Sequence, residues 1–502
     1  MMARDPVQSG RMAAMSTDPF LPSDDLSEPV QRRRRRRSRS DVRGWRSFLS
    51  AQGLATFAFA VLILSLPLMM GNRTPMTLTA TALWLVIGAS IAWLSTLLNQ
   101  EQAYPVQPIS SAWWVVIAAI TTLTVLQILP IEALARAFGP YPEALWNHPE
   151  FRPSTWSPNP GAAARGWAVF MALAVMVWIA AQLRPRFRGA LWLVVSAMAL
   201  FQALYGLVSH AAESSHILGI WERHTTGFVQ GTYSNRNLFA GYLSLTWPLV
   251  VSVWWIKDVP LLKRLPTELR VTGSIISGAI VGAALMGSAS RLGAMAGLIG
   301  MLTALILWTR YRGHLKGGVV WPVWLAAFAA FLLATWYGLA PITDRLAMTS
   351  SVDSLRFEVW AAMLFDIDLK HWLLGVGFGG YEAVFKTVQP AHIGGWWDYA
   401  HNDLLQWLLE MGLVGAVVLL LVLIVLIRHA AMDTERIPLY TGLVGLAVVG
   451  LGDFSWHMPG TQIVAALYIG ALMRPAAQRK GEPLIQRKKR RVKRRRRKES
   501  LG

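Results

Sequence analysis

The sequence HNDLLQWLLEMGLVGAVVLLLVLIVLI, residues 401–427, joins a short polar cluster to a long apolar run. A membrane-spanning helix needs about 20 predominantly apolar residues, and residues 404–427 supply them. His401, Asn402 and Asp403 stand where that run begins. Ionisable groups are costly in a membrane and mark a functional site by default. The stretch therefore predicts a membrane helix that begins at a polar site.

The same apolar pattern recurs along the 502-residue chain, which is 54% hydrophobic and 15% charged, with a mean hydropathy of +0.39. We predict an all-α, polytopic membrane protein with about twelve transmembrane helices. Cysteine is absent, which excludes disulfides, thiolate chemistry and cysteine-based metal sites. The predicted spans are residues 47–70, 77–98, 112–129, 163–183, 189–209, 237–256, 271–288, 292–309, 318–338, 404–427, 438–452 and 460–473.

Most of the formal charge of +20 lies in two tails. Residues 1–46 carry eleven Lys and Arg against six Asp and Glu, and residues 474–502 carry fourteen against two. Arginine runs of this kind suit topology determinants and contacts with anionic lipid better than nucleic-acid binding. We predict a disordered basic cytoplasmic tail at 1–46, a membrane domain at 47–473, a basic cytoplasmic tail at 474–502, and no nucleic-acid partner.

Basic residues in the short loops indicate the orientation of the membrane domain. The clusters at 184–188, 257–270 and 310–316 fall on the same side as both tails. Cytoplasmic loops carry the excess of Lys and Arg, so we expect both termini in the cytoplasm. Any chemistry then belongs to the long loops of the opposite, outer face: 130–162, 210–236 and 339–403.

The longest outer loop contains three further patterns. Residues 352–370 predict an amphipathic helix along the membrane surface. Gly375–Gly380 satisfies G-x-G-x-x-G, but no strand precedes it, so we interpret it as a flexible turn rather than a dinucleotide site. We interpret the D-x-D pair Asp366 and Asp368 as solvated carboxylates rather than metal ligands. The apolar positions of the helix recur every four residues: Leu355, Val359, Met363 and Ile367.

Three predicted helices enter the membrane from the outer face, each through a polar cluster. Ser, Asn and Asp suit N-caps. Arg236 and Arg291, however, face the positive end of a helix dipole, where a helix alone favours acids. Two guanidiniums beside helix amides would bind a diphosphate; a salt bridge or contact with lipid phosphate is the alternative for each. The clusters are Gly231-Thr-Tyr-Ser-Asn-Arg-Asn237, Ser288-Ala-Ser-Arg291 and His401-Asn-Asp403.

His401 is the expected general base, because imidazole is the side chain that exchanges a proton near neutral pH. The alternative is an interfacial histidine bonded to backbone. The last outer turn, 453–459, adds another acid and base, or simply a capped turn. No H-E-x-x-H spacing indicates a metal. Other outer histidines compete for the role of base or could assemble a metal site: His210, His216, His224, His392 and His457.

Taken in order, these motifs resemble the O-antigen ligase superfamily, which also contains O-antigen polymerases and protein O-oligosaccharyltransferases. The similarity covers residues 230–460. Each element alone is weakly specific, but the ordered set is more so. The elements are 231–242, Ser290-Arg291, Arg356 with Trp360, 374–379, 401–412, Asp453-Phe454 and 457–459.

The resemblance implies a metal-independent, cofactor-free transferase of the large outer-face glycosyltransferase type in a bacterial inner membrane. Its donor would be a glycan on undecaprenyl diphosphate, and its acceptor lipid A core in a ligase or a growing glycan in a polymerase. Arg291, assisted by Arg236, would bind the diphosphate. His401 would activate the acceptor hydroxyl, and Arg356 would contact a phosphate or sugar. The remaining expected substrate-binding residues are Asn235, Asn237, Asn402 and Asp403.

The branch of the superfamily stays open at this point. We expect a ligase, with a polymerase and then a protein O-oligosaccharyltransferase as alternatives. A lipid-linked glycan flippase or exporter, or a scaffold, would be a protein of another class. A transporter should place its binding groups near mid-membrane on broken helices, whereas here the ionisable residues cluster at predicted outer helix ends.

Overall fold

The computed structural model describes residues 50–69, 75–98, 111–147, 150, 152–223, 227–311, 329, 351–428 and 435–473. The predicted tails 1–46 and 474–502 and the ninth predicted span, 318–338, lie outside the described residues, save for residue 329. Within the described ranges the chain is helical apart from loops and one two-stranded hairpin, β1 (His216–Ile217) with β2 (Trp221–Glu222).

Sixteen α-helices follow one another through the described ranges. They are α1 (Ala51–Ser65), α2 (Pro75–Leu98), α3 (Ser111–Ile128), α4 (Glu132–Phe138), α5 (Pro160–Gln182), α6 (Pro185–Ala211), α7 (Arg236–Ser252), α8 (Pro260–Lys263), α9 (Thr267–Gly287), α10 (Arg291–Tyr311), α11 (Ser351–Asp366), α12 (Leu369–Leu374), α13 (Tyr381–Val388), α14 (Asp403–Arg428), α15 (Arg436–Gly450) and α16 (Pro459–Leu472).

Among the described residues, six helices are long and apolar enough to cross a membrane. A seventh span results if α3 and α4, bent by 105°, count as one. Four shorter apolar segments overlap other predicted spans: Gln52–Leu68, Thr79–Leu94, Arg436–Gly450 and Pro459–Leu472. An all-α, multi-pass membrane protein is therefore confirmed, while the count of twelve stays a prediction. The six are Pro160–Gln182, Pro185–Ala211, Arg236–Trp255, Thr267–Gly287, Arg291–Arg310 and Asp403–Ile424.

Helix α7 is the central helix, with every residue from Leu238 to Ser252 buried. Small residues on its neighbours let their backbones approach it, as membrane helices without a hydrophobic driving force require. A Cβ on Gly442 of α15 would overlap the carbonyl oxygen of Leu245, and one on Gly293 of α10 would lie 2.5 Å from the Ala240 methyl. The first turns of α7 and α10 therefore lie side by side.

Helices α11 to α13 have a hydrophobic core of their own, in which Val359 and Met363 pack with Tyr381 and Phe385. The apolar face predicted for 352–370 is confirmed, because Val359, Met363 and Ile367 are buried and Leu355 packs against them. The helix ends at Asp366, and a second short helix, α12, follows. Asp366 and Asp368 are exposed, as predicted. The membrane-surface location of this helix stays a prediction.

The glycine turn 375–380 is held in place rather than being the flexible turn predicted. Its glycines at 375, 377 and 379 have φ of 77°, 93° and 66°, a region that favours glycine. The indole of Trp156 donates to the carbonyl oxygen of Gly375 at 3.0 Å. The amide of Gly377 donates to the carbonyl oxygen of Glu410 at 2.9 Å. Hydrogen bonds to two distant segments thus fix the turn.

The span predicted at 404–427 is not one continuous helix. Gly412 has φ 58° and ψ −151°, so α14 consists of two helices across a kink. A Cβ at Gly412 would lie 2.6 Å from the amide nitrogen of Gly375. An apolar span is found here as predicted, but it is interrupted at Gly412, where the glycine turn packs backbone to backbone against it.

Candidate functional site

The final turn, residues 451–458 between α15 and α16, contacts four of the candidate site residues: Arg356, His401, Asn402 and Asp403. A Cβ on Gly452 would lie 3.0 Å from Leu292, in the first turn of α10. A Cβ on Gly241, in the second turn of α7, would overlap the Ser455 hydroxyl. The carboxylate of Asp403, the first residue of α14, accepts a hydrogen bond from the amide of Trp456 at 3.0 Å. The N-terminal parts of three helices therefore adjoin this turn.

Asp453 lies between His401 and Arg356. Its Oδ1 is 3.7 Å from Nδ1 of His401, and its Oδ2 is 3.7 Å from Nη2 of Arg356. The Arg356 Nη1 donates to the carbonyl oxygen of Gly452 at 3.0 Å. Burial raises the pKa of Asp453, which is 1% exposed, but His401 and Arg356 outweigh burial and lower the pKa overall. Asp453 is therefore an ionised carboxylate beside an imidazole.

His457 and Asp403 form a second, tighter pair. Nδ1 of His457 lies 2.6 Å from Oδ1 of Asp403. Burial lowers the pKa of His457, but the hydrogen bond and charge of Asp403, with the charge of Glu410, raise it overall. The two pairs cross: the histidine before α14 faces the aspartate of the final turn, and the histidine of the final turn faces the aspartate of α14.

Aromatic rings separate and orient the two imidazoles. The Tyr399 and Phe454 rings stack in parallel with centroids 4.2 Å apart. His401 meets Phe454 edge-on at 4.9 Å, and His457 meets Tyr399 at 5.4 Å. Trp397 covers another side of His401 at 5.6 Å. Each imidazole thus has an apolar neighbour on one side and a carboxylate on another.

The backbone around His401 is strained. Its φ of 48° is unusual for a residue with a Cβ and costs about 1–3 kcal/mol unless the surroundings impose it. Asn402 supplies part of that constraint: its Oδ1 caps α14 by accepting from the amide of Leu405 at 3.0 Å, and its Nδ2 donates to the carbonyl oxygen of Leu451 at 3.0 Å. Asn402 therefore ties the start of α14 to the final turn.

The two predicted diphosphate arginines begin the neighbouring helices α7 and α10. The Arg236 guanidinium lies 3.9 Å above the Phe228 ring, and Asn235 caps α7 by accepting from the amide of Asn237 at 2.7 Å. Arg291 precedes Leu292, the residue that adjoins Gly452. A diphosphate between these arginines and opposite His401 stays a prediction.

Several residues play parts that the sequence did not reveal. Arg356 is bonded to the final turn, so its contact with a phosphate or sugar also stays a prediction.

Of the competing histidines that the structure describes, His457 joins the cluster, whereas His392 pairs with Glu358 at 2.5 Å at an exposed position; His224 lies outside the described residues. The motifs His401-x-Asp403 and Asp453-x-x-x-His457 each contain one acid and one base. Two such motifs are a sequence signal that the base of each could pair with the acid of the other. Within the described ranges, no group of three or more potential ligands is arranged for a metal.

Comparison with known families agrees with the sequence motifs. Residues 276–420 match the family model described as O-Antigen ligase. This match confirms the resemblance to that superfamily and supports a membrane glycosyltransferase-like function. It includes Arg291, Arg356 and His401, whereas Arg236 and the final turn lie outside it. No curated protein matches the chain.

Proposed function

We propose that this chain, a member of the O-antigen ligase superfamily by its segment 276–420, transfers a glycan from undecaprenyl diphosphate to an acceptor on the outer side of a bacterial inner membrane. We favour a ligase that uses lipid A core as acceptor, with twelve spans, both termini in the cytoplasm, and basic tails on anionic lipid. The observation that best supports this proposal is the position of the buried Asp453 between His401 and Arg356, beside the start of α10.

In the proposed reaction, His401 takes the proton of the acceptor hydroxyl. A diphosphate is already a good leaving group, so the enzyme has to activate the acceptor and stabilise negative charge as the glycosidic bond breaks. Asp453 stabilises the imidazolium that forms, and Arg356 helps keep Asp453 ionised.

Arg291 and Arg236 hold the diphosphate in this proposal. Each stands at the first position of its helix, where backbone N–H groups and the helix dipole also favour an anion. Guanidinium groups can bind phosphate oxygens through paired hydrogen bonds. The contact between the first turns of α7 and α10, at Ala240 and Gly293, supports a shared site.

His457 is the rival base, because Asp403 orients it at hydrogen-bonding distance. Its raised pKa argues against that role, since an imidazole that keeps its proton to higher pH is a poorer acceptor near neutral pH. We therefore assign proton transfer to His401 and assign to His457 the holding of Asp403 against the final turn.

A lipid-linked glycan transporter is the second candidate function. One observation favours it: α14 is broken at Gly412 and carries the buried Glu410, and transporters use discontinuous helices at their binding sites. The carbonyl oxygens of Leu409 and Glu410 already accept amides of the glycine turn, however, and are not open to a substrate in the way a transporter site requires. The transferase remains the better supported proposal.

Glycan analysis of a deletion strain distinguishes these functions. Loss of a ligase should leave polymer on the lipid carrier, and loss of a polymerase should leave acceptors capped with one repeat unit. Loss of a flippase should leave the lipid-linked donor on the cytoplasmic side. Unmodified target proteins with intact lipopolysaccharide would indicate the protein O-oligosaccharyltransferase branch. A normal glycan profile would overturn the transferase proposal.

A further inference from the structure

The glycine turn 375–380 fits into the interruption of α14 at Gly412. Two carbonyl oxygens shortly before the break, those of Leu409 and Glu410, accept hydrogen bonds from amides of the turn at 3.0 and 2.9 Å. The end of the first half of α14 is therefore fixed by a segment about thirty residues earlier in the chain. Glu410 is the residue that this arrangement holds most directly.

The Glu410 side chain is buried, with 3% of its surface exposed. Its Oε1 accepts from Nε2 of Gln406 at 3.0 Å, and the backbone amides of Gly379 and Tyr381 also interact with the carboxylate. Within the described residues, no lysine or arginine forms an ion pair with it. Burying a carboxylate costs free energy, so a buried carboxylate at this position needs an explanation.

Gln406 connects this carboxylate to the peptide that precedes His401. Its Oε1 accepts from the amide of Ala400 at 3.0 Å. The carbonyl oxygen of Ala400 accepts from the Trp360 indole at 2.7 Å. The residue next to the strained His401 is therefore held through both its N–H and its C=O.

The hydrogen bonds that Glu410 accepts explain how the orientation of Gln406 is chosen. The Glu410 oxygens accept from Gln406 and from the amides of Gly379 and Tyr381, so this side chain pairs with the NH2 end of the Gln406 amide and turns its oxygen toward Ala400. A neutral amide at position 410 would accept or donate, and either orientation of Gln406 would then be possible. A carboxylate at this position thus gives the chain of hydrogen bonds one direction.

We propose that Glu410, acting through Gln406, is a positioning residue that holds His401 in its strained conformation for proton transfer. The proposal rests on the transferase function proposed above, and it gives the G-x-G-x-x-G segment a role as the support of Glu410. A small displacement of a catalytic group is sufficient for a large loss of rate, since about 1 Å can cost about 100-fold.

The test uses the full-length chain in a deletion strain, with the initial rate of surface glycan appearance after induction as the measure of turnover. The Gln406→Leu variant removes both hydrogen bonds at nearly constant volume. We expect turnover to fall about 100-fold, while the purified variant binds undecaprenyl diphosphate within about threefold of wild type. We expect Glu410→Gln to lower turnover less than Gln406→Leu does, because one of the two amide orientations of Gln406 still holds Ala400.

Two further variants serve as controls. Gln52 also bonds backbone at both ends of its amide, to the carbonyl oxygen of Gln182 and the amide of Arg184, far from His401 in the fold. Gln52→Leu should therefore leave turnover unchanged. Trp360→Phe removes the hydrogen bond to the carbonyl oxygen of Ala400 and should lower turnover as Gln406→Leu does. It therefore tests the positioning role independently if Gln406→Leu folds poorly.

The outcomes separate this proposal from the function on which it rests. If wild type transfers glycan and His401→Ala does not, yet Gln406→Leu and Trp360→Phe keep full turnover, the positioning role is wrong. Equal losses of turnover and undecaprenyl diphosphate binding in Gln406→Leu would also overturn it, since they indicate general disruption. If His401→Ala itself transfers glycan normally, the proposed base, rather than its support, has failed.

Discussion

Two polar clusters lie at opposite ends of α15, and they differ in how fully their groups are bonded. The first surrounds Arg188, which is 4% exposed. Its Nε and Nη2 lie 2.9 and 3.3 Å from the carboxylate of Glu435, and its Nη1 donates to the carbonyl oxygen of Leu183 at 2.7 Å. The Trp192 indole donates to the same carboxylate at 3.0 Å. Every nitrogen of the guanidinium thus has an oxygen partner.

The second cluster, around His401 and the final turn, is incompletely bonded. Among the described residues, buried polar atoms there lack a hydrogen-bond partner: Nδ1 of His401, Oδ2 of Asp453 and the hydroxyl of Ser455. Buried polar groups are nearly always bonded, so exceptions call for an explanation. This difference fits a structural role for the Arg188 cluster and supports the proposed substrate-binding role of the His401 cluster.

Arg291→Ala should give the largest effect. We expect loss of detectable glycan transfer with normal expression and membrane insertion, because the proposed diphosphate site loses its main cation. Arg310→Ala is the matched control, since it changes an exposed arginine in the last turn of the same helix. Surface glycan should be measured for both in the deletion strain. Normal glycan in Arg291→Ala would contradict the site.

His401→Ala should lower turnover by about 100- to 10,000-fold, the usual contribution of general acid–base catalysis. Binding of undecaprenyl diphosphate to the purified protein should change little, because the arginines are intact. His457→Ala should lose less turnover than His401→Ala. The opposite order would transfer the role of base to His457, and equal losses of binding and turnover in His401→Ala would make it a structural histidine.

Glu435→Ala should lower the stability of the fold rather than the rate of glycan transfer. Removing one partner of a buried ion pair leaves the other charge uncompensated and costs about 3–5 kcal/mol. We expect a lower thermal unfolding temperature in detergent, with unchanged glycan transfer per folded molecule. A specific loss of transfer at normal stability would contradict the contrast between the two clusters.

The smallest effect concerns pH. His457 has a raised pKa in the folded protein, so its pairing with Asp403 stabilises fully below the unfolded histidine pKa of about 6.5. This stabilisation is lost as pH rises through the folded pKa. The unfolding temperature of purified protein should therefore fall as pH rises from about 6.5 through the folded pKa, and His457→Gln should reduce the fall. An unchanged slope in that variant would show that the pair does not titrate in this range.

Local sequence patterns predicted the features that depend on neighbouring residues. The apolar runs and the buried face through Val359 and Met363 follow from spacing alone. Asn235 and Asn402, expected to bind substrate, are helix caps in the structure, which was the alternative for these polar clusters. The break at Gly412 did not follow from spacing, because a glycine inside an apolar helical run is usually tolerated. Its conformation depends on a turn that packs against it in the folded chain.

The site shows the same division. The sequence brought out His401, Arg291 and Arg236 as chemically unusual at helix starts. It could not assign Asp453 to His401 or show that Arg356 bonds to the final turn, since these contacts join segments about fifty or more residues apart. Pairing of this kind depends on tertiary geometry, which residue spacing does not encode.

The backbone contact between the glycine turn and α14 has a consequence for chain length. Hydrogen bonds from 376 and 377 to 409 and 410 close the intervening chain into a ring. An inserted residue near either end of this ring would move the amide donors out of register with the carbonyl acceptors. The ring should therefore tolerate insertions only in the part of the chain that lies away from these hydrogen bonds. Gly394 and Gly395 lie there, where a Cβ would meet nothing within 4 Å. A reporter peptide or affinity tag should therefore be accommodated between them.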